Sequence, residues 1–585
     1  MTRRAVLLGG AAAVAALARV GGFGGMVGAA GAVTAGAPWI ARHGIDAAAY
    51  QAAFDANLAA GYRLVHVAGY DTPAGARYAA IWEKAAGPAW AARHGLDSAG
   101  YQAAFTSFAQ QGYRLRTVSG YAVGGVVRYA AVWEQAGGPA WTARHGLTAA
   151  QHQSEFDALL ANGYRPVHVC GYATLQGPRF ASIYEQTGGP AYEARHGLAG
   201  VTYQEAVDTW AVWGMRPVTV SGYFDGARDR YATIWQADGP AAASLLGLQG
   251  VIDRFVSTRA GAASQFAFAK AGRLVYARSF GVVDPAGSEP VSLRHRLRIA
   301  SVSKPVTAAA VFSLVDAGRL TLDQRVFGSG EILGATYGTK PYNNHLRAIT
   351  VRHLLEHSVG TWTNDANDPM FLANNLTQAQ IITTTLDTRP PTQAPGAGFL
   401  YSNFGYCLLG RVIEAASGQS YAAYTSAVLA GAGVTRMAIA GNTLAERQPD
   451  EVVYQGRDGA DPYRWNIARM DSHGGWIGAA PDLVRFALRV DGRTPPADTL
   501  SAASQAAMDQ PSTDGRAARG WLVNGANRWH NGALDGTSAI LVRTGDLCWA
   551  GLLNTRDASL VGDLDAMMWN AVGAVSRWPD SALAG

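Results

Sequence analysis

Ser301-Val302-Ser303-Lys304 opens an apolar run, Val306 to Val315, that is closed by Gly318. The run has the length and composition of a buried helix, with glycine as its stop. Residues three apart share a helix face, which stands Lys304 beside Ser301. Pro305 is compatible with this only because it falls in the first turn. Ser301 then sits at an amino end, where unpaired backbone N–H groups and the helix dipole favour negative charge. A serine hydroxyl attacks a carbonyl only with a base within hydrogen-bond reach. The layout supplies the base and a place for the developing charge, which is what acyl transfer requires.

A lone S-x-x-K also reads as a helix start with an exposed lysine. Two facts separate the readings. The chain has only four lysines, Lys84, Lys270, Lys304 and Lys340. Tyr401-Ser402-Asn403 and His530-Asn531-Gly532 then follow in order. Together with Arg298-Ile-Ala-Ser-Val-Ser-Lys304, Val351-Arg-His-Leu-Leu-Glu-His357 and Gly474-Gly-Trp-Ile-Gly478, these segments resemble the serine β-lactamase and penicillin-binding fold. The branch they look most like is the class C-like one of esterases, D-amino-acid peptidases and related hydrolases. The resemblance spans residues 247–580. It implies an α/β sandwich, an antiparallel sheet with helices packed on it plus a helical lobe, and an acyl-enzyme hydrolase with no metal or organic cofactor.

The same resemblance implies roles. Ser301 is the nucleophile, Lys304 its neighbour in the proton relay, and Tyr401 a base on a loop of the helical lobe. Asn403 hydrogen-bonds Lys304 or the substrate backbone. The backbone N–H groups of Ser301 and Ala533 form an oxyanion hole, and Gly532 lets a substrate strand pass close to the chain. A tyrosine with its ordinary pKa near ~10 is a poor base; a lysine cation beside it favours phenolate, and burial opposes charge on either. Which of the two takes the serine proton stays open at this level, and the pair titrates as a unit. His530 is a departure. Lactamases and cell-wall D,D-peptidases usually hold the substrate carboxylate with lysine there, and a neutral histidine holds it less well. Cleavage within a chain, or of an ester, fits better.

The chain begins Met1-Thr-Arg-Arg-Ala-Val-Leu-Leu-Gly and continues through small apolar residues to Ala32. Twin arginines before a short apolar segment read as a twin-arginine export signal, residues 1–32. The Gly/Ala-rich segment is too weakly hydrophobic for a transmembrane anchor, so a secreted protein with no membrane association after cleavage is expected. Cys170, Cys407 and Cys548 allow one disulfide at most, and Cys407, in an apolar run, reads as a core residue. At 585 residues more than one domain is expected. The net charge is +5 and the arginines are spread along the chain, so no nucleic-acid partner is expected.

Ala-Arg-His-Gly recurs at 41–44, 92–95, 143–146 and 194–197, always 51 residues apart. The same step carries Gly69-Tyr70, Gly120-Tyr121, Gly171-Tyr172 and Gly222-Tyr223, and also Trp82, Trp133, Tyr184 and Trp235. Such constancy predicts four equivalent units over residues 38–240. Tyr50, Phe54 and Leu58 mark a helix over 48–59. Tyr62 to Ala68 alternates as a strand, Gly69-Tyr70 reads as the start of a connection, and Arg77 to Trp82 as a second strand. The expected fold class is multidomain: an α+β four-fold repeat domain, helix plus β-hairpin per unit, followed by the lactamase-like α/β sandwich. No carboxylate or cysteine spacing accompanies the repeated histidines, so no metal is expected; capping and donation to a neighbouring carbonyl are the plainer roles.

These units resemble the tandem repeats that precede the hydrolase domain in polyglycine hydrolases, secreted serine endopeptidases that cut glycine-rich stretches of other proteins. The implied partner is a protein or peptide substrate with glycine-rich segments. A substrate without side chains must be held through its main chain, as in strand addition along Trp529 to Ala533. An esterase or D-amino-acid peptidase whose repeats only tether it is the second reading. A glycan-binding protein with a vestigial hydrolase domain is the third, and the presence of Ser301, Lys304 and Tyr401 together speaks against it. Cleavage register and oligomeric state are not encoded in any motif.

Overall fold

The computed structural model describes residues 37–583 apart from Ala260, Ala373 and Asp458. The export signal read over residues 1–32 lies outside the described residues. The chain forms two compact units, one holding residues up to Gly188 with Val218–Ala227, the other Gly189–Pro217 with Arg228 onward.

The first unit contains the first three repeats. In the first of them, a strand Trp39–Ile45, a helix Ala47–Ala59 and strands Arg63–Tyr70 and Arg77–Glu83 form a three-stranded antiparallel sheet backed by the helix. The last strand lies in the middle. The leading strand adds to the helix and hairpin expected from periodicity. It is mostly exposed, so no apolar alternation marks it. Its pairing shifts register between Arg42 and Ile45, and Gly44 takes φ 69° there; Gly95 and Gly146 repeat this at 68° and 69°. Side chains with a Cβ avoid that conformation, so Arg-His-Gly ends in glycine because the strand bulges.

Gly69 and Tyr70 do not start a connection; they are the last two residues of the second strand. Their recurrence is a packing matter. The Tyr121 ring lies over Gly69, Tyr172 over Gly120 and Tyr223 over Gly171, where an added Cβ would sit 2.4, 2.4 and 2.5 Å from the ring. Hydroxyl pairs between Tyr78 and Tyr121 (2.8 Å) and between Tyr129 and Tyr172 (2.7 Å) close the contacts. The ion pairs Arg63–Glu134 and Arg114–Glu185 (the latter 3.0 Å) also span neighbouring repeats. Trp82, Trp133 and Tyr184 fill the unit cores. His94 and His145 do not donate to carbonyls as expected. They pack edge-on against Tyr50 and Tyr101, at 4.7 and 4.8 Å between ring centres.

In the second unit, strands β1 (Ser264–Lys270), β2 (Arg273–Phe280), β3 (Leu522–Asn524), β4 (Asn527–Leu534), β5 (Thr537–Thr544) and β6 (Leu547–Leu553) form an antiparallel sheet in the order β2-β1-β6-β5-β4-β3. The helices of this unit include α1 (Gly200–Val212), α2 (Ala242–Ser257), α3 (Ser303–Asp316), α4 (Asn403–Ser417) and α5 (Leu560–Gly573), and the helix Ala480–Ala487 also packs on the sheet. Helices α2 and α5 cover one face through Leu245, Ile252, Leu564 and Met568 against Phe266, Ile540 and Trp549. The other face meets a larger core that runs into the helical lobe around α3 and α4. Every residue of α3 from Ser303 to Phe312 is buried, as a helix apolar on all sides must be.

Helix α1 belongs to the fourth repeat, and it lies along the outer edge of β2. Glu205, Thr209 and Trp213 are spaced four apart and so share one face. Thr209 Oγ1 donates to the Ala277 carbonyl (3.0 Å), Trp213 Nε1 to the Val275 carbonyl (2.7 Å), and Glu205 accepts from the Ser279 N–H (3.1 Å). Side chains thus satisfy an edge that backbone pairing leaves open. All three cysteines are buried free thiols. Among the described residues no helix is long and apolar enough to cross a membrane.

Candidate active site

Ser301 lies on the 3-10 turn Ala300–Val302 that leads into α3. Ala300 holds φ 45°, an expensive conformation for a residue with a Cβ. It is wedged by β4: a Cβ on Gly532 would meet the Ile299 carbonyl oxygen at 2.1 Å and the Ala300 Cβ at 3.2 Å. This corrects the expected role of Gly532. The missing side chain makes room for the protein's own nucleophile turn, not for a passing substrate strand.

Lys304 is fully buried and its Nζ meets three oxygens: Asn403 Oδ1 at 2.7 Å, the His473 carbonyl at 2.9 Å and Ser301 Oγ at 3.0 Å. Asn403 is the first residue of α4, whose start is fixed because Ser402 Oγ accepts from the Gly405 N–H (3.0 Å). Gly418, at φ 70°, ends that helix. Tyr401 immediately precedes the cap. Its phenol is close enough to Ser301 for the serine hydroxyl to bear on its titration, and its ring centre is 4.7 Å from Lys304 Nζ. The ring also stacks on His357 at 4.4 Å and 23°. His357 takes φ 55° and its Nδ1 accepts from the Ser402 N–H (3.0 Å), which ties the Tyr401 loop to α4.

Burial dominates the electrostatics. It holds the Lys304 amine well below the usual lysine range, with the Asp368 carboxylate opposing. It pushes the Tyr401 phenol above its usual value, the Ser301 hydroxyl opposing and the Asp368 charge adding. Both groups are therefore biased to their neutral forms. His530, on β4, is lowered to about 3 by burial, with the Lys304 charge adding. Its Nδ1 lies 2.7 Å from the Asn531 carbonyl, which only accepts, so Nδ1 carries the hydrogen and Nε2 the lone pair. The ring centre is 6.0 Å from that of Tyr401.

Ala533 needs its backbone direction, which the register supplies. Leu534 and Thr537 flank the two-residue turn between β4 and β5, so they exchange hydrogen bonds. By alternation the N–H groups of Ala533 and Asn531 point away from β5. On that side β3 pairs only as far as Trp529, and the edge from Asn531 to Ala533 is open. The structure thus brings Ser301, Lys304, Tyr401 and Asn403 into direct contact and places His530, Gly532 and Ala533 on the adjoining strand. Sequence reasoning missed Asp368, Asn364 and His473. Asn403 Nδ2 donates to Asp368 Oδ2 (2.8 Å) and Asn364 Oδ1 (3.0 Å). No fixed spacing links these loop residues to the serine; His357 closed a motif already noted and could have been found.

A family model described as Beta-lactamase matches residues 248–568, more than half of the chain. The chain belongs to the beta-lactamase family. A second model, described as a polyglycine hydrolase-like structural repeat, matches residues 36–85, 87–136, 138–187 and 189–238. Together they define a serine hydrolase domain of the beta-lactamase fold behind four such repeats. The probable fimbrial assembly protein FimD, serogroup H1, of Dichelobacter nodosus is 32% identical over 247 residues, 40% of this chain and 58% of that protein. Esterase EstB of Burkholderia gladioli is 29% identical over 212 residues, 32% of this chain and 50% of the esterase. The chain spans about half the length of these curated relatives. Among solved structures, the D-amino acid amidase from Ochrobactrum anthropi SV3 is 20% identical with a TM-score of 0.47, covering 57% of this chain and 98% of its own.

Proposed function

We propose that the protein is a secreted serine endopeptidase that cuts glycine-rich segments of other proteins through an ester on Ser301. The observation behind the catalytic part is the hydrogen-bond inventory at Lys304. Two of its three oxygen partners, Asn403 Oδ1 and the His473 carbonyl, can only accept. A neutral amine has two N–H bonds and one lone pair. With both N–H bonds engaged, the lone pair faces Ser301, and Lys304 is the base.

Ser301 Oγ attacks the carbonyl carbon as its proton passes to Lys304 Nζ. The backbone N–H groups of Ser301 and Ala533 receive the oxyanion, a pairing whose loss in similar sites costs about 100- to 1000-fold. Tyr401, kept as phenol, gives its proton to the departing amine while the C–N bond breaks, and regains one from Lys304. Water then attacks the ester by the reverse route, and the acid leaves.

The substrate part rests on two features. Four repeats match a polyglycine hydrolase-like description, and the open β4 edge offers main-chain N–H groups to an extended chain that has no side chains to read. A neutral His530 provides no cation for a terminal carboxylate, which favours cleavage within a chain. Export rests on the twin arginines Arg3 and Arg4. Incubation with a protein carrying a glycine-rich linker, read by mass spectrometry, tests the proposal: fragments with glycine at both new ends are expected. An intact linker beside rapid hydrolysis of small esters supports the esterase reading, which the likeness to a named esterase motivates.

A further inference from the structure

We propose that Asp368 is a positioning residue that decides which end of the Asn403 amide faces Lys304. The inference builds on the reading of Lys304 as the base. A carboxamide has two nearly isosteric orientations with opposite consequences here. With Oδ1 toward Lys304 it accepts an amine N–H and leaves the lone pair for Ser301. With Nδ2 toward Lys304 it presents donors to the amine, and the lone pair turns away from the serine.

The Asn403 amide cannot choose by itself, and neither can Asn364. The Asn364 side chain meets Asn403 Nδ2 at 3.0 Å, but it is a carboxamide too and can present either end. Asp368 differs. It is 1% exposed, its Oδ1 accepts from the Met370 N–H (2.9 Å) and its Oδ2 from Asn403 Nδ2 (2.8 Å). Burial raises the Asp368 carboxyl above its usual range, with the Asn403 and Met370 hydrogen bonds and the Lys304 charge opposing; as a carboxylate it has no hydrogen to donate, so only Nδ2 can face it. Oδ1 is then forced toward Lys304, where it lies 2.7 Å from Nζ. Asp368 touches neither Ser301 nor any reacting atom and acts wholly through Asn403.

The carboxylate also bears on the charge of Lys304. The other titratable groups facing the amine are Tyr401, Tyr406, His357, His473 and His530. Burial biases all five toward neutrality. The negative charge of Asp368 raises the affinity of Lys304 for its proton. Removing it therefore lets the amine lose its proton at lower pH.

The test uses the full chain and a p-nitrophenyl ester. Asp368→Asn is expected to lower kcat about 10- to 100-fold with little change in KM, as misplacement of a catalytic group does. The acid limb of its pH–rate profile is expected to move to lower pH. The double variant Asp368→Asn with Asn403→Asp puts two accepting oxygens at position 403, so orientation no longer matters. It is expected to regain most of the lost kcat at alkaline pH, with the acid limb now above that of the unmodified protein because a carboxylate adjoins the amine. Thermal melting confirms that each variant is folded. If Asp368→Asn does not fold, the double variant decides alone: activity above a Ser301→Ala background with the raised limb supports the inference, and background activity overturns it. Unchanged kcat and limb in a folded Asp368→Asn also overturn it. Full activity in Ser301→Ala sinks the hydrolase reading itself, whereas an inactive Ser301→Ala beside a normal Asp368→Asn sinks only this inference.

Discussion

At the scale of single residues, burial biases the amine and the phenol beside Ser301 toward their neutral forms. Lys304 is held below and Tyr401 above their usual values, both chiefly by burial. Activity that needs the free amine rises with pH through the lowered Lys304 value, and the phenol stays protonated beyond the usual tyrosine range. The pH–rate profile for an ester is thus expected to show its acid limb below ~10, the ordinary lysine region, and a broad plateau above it. A limb at the ordinary lysine position speaks against Lys304 as base. Ser301→Ala is expected to cost at least about 10⁴-fold in kcat/KM, since the nucleophile cannot be replaced. Gly532→Ala is expected to reduce kcat/KM by about 100-fold or more and to lower Tm, because its Cβ displaces the Ile299 carbonyl next to the oxyanion donors. Much of this was legible. Ser301 and Lys304 stand one helical turn apart in sequence, and Tyr401 and Asn403 share one short motif. Asp368 was not, because it meets Asn403 through the folding of a loop rather than any periodic spacing, and Gly532 was recognised with the wrong neighbour in mind.

At the scale of elements, the repeated glycine-tyrosine pair shows what periodicity reveals and what it hides. The helix and hairpin of each unit were readable from their apolar spacing. The leading strand was not, since Trp39–Ile45 is mostly exposed and its glycine belongs to a bulge. Neither was the second strand's true end, because Gly-Tyr looks like a turn when its partner lies a full repeat away. The packing of Tyr172 on Gly120 makes a direct prediction. Gly120→Ala is expected to destabilise the repeats by about 1–3 kcal/mol, the usual cost of overpacking. Adding Tyr172→Ala is expected to make the glycine substitution nearly neutral, as a shared contact requires. Thermal or urea unfolding of the four variants checks this; additive losses refute it.

At the scale of the molecule, the tandem array and the hydrolase domain do not part where the repeats end in sequence. The fourth repeat places Glu205, Thr209 and Trp213 on the edge of β2. A chain lacking residues 38–188 is therefore expected to fold and to hydrolyse small esters. One lacking residues 38–240 is expected to aggregate or melt much lower, measured by soluble yield and calorimetry; equal behaviour of the two contradicts the edge contact. Acid is the other global stress. Burial lowers His168 to about 4 and His530 to about 3, against ~6.5 when unfolded. Between those values the unfolded chain binds more protons, so stability falls as pH drops from about 6.5 toward 4. His168 Nε2 also donates to the Val118 carbonyl (2.8 Å), a bond an amide can keep. His168→Gln is expected to flatten the fall of Tm with acidification, and an unchanged slope counts against His168 as a contributor. The glycine sockets have a further consequence for descent. Each ring seats on the copy just before it, so a lineage can gain or shed whole 51-residue cassettes upstream without redesigning a single surface. The last cassette has lost that liberty, because it is wedded to the enzyme. Array length upstream is thus free to vary, while the catalytic half keeps the one copy packed on its sheet.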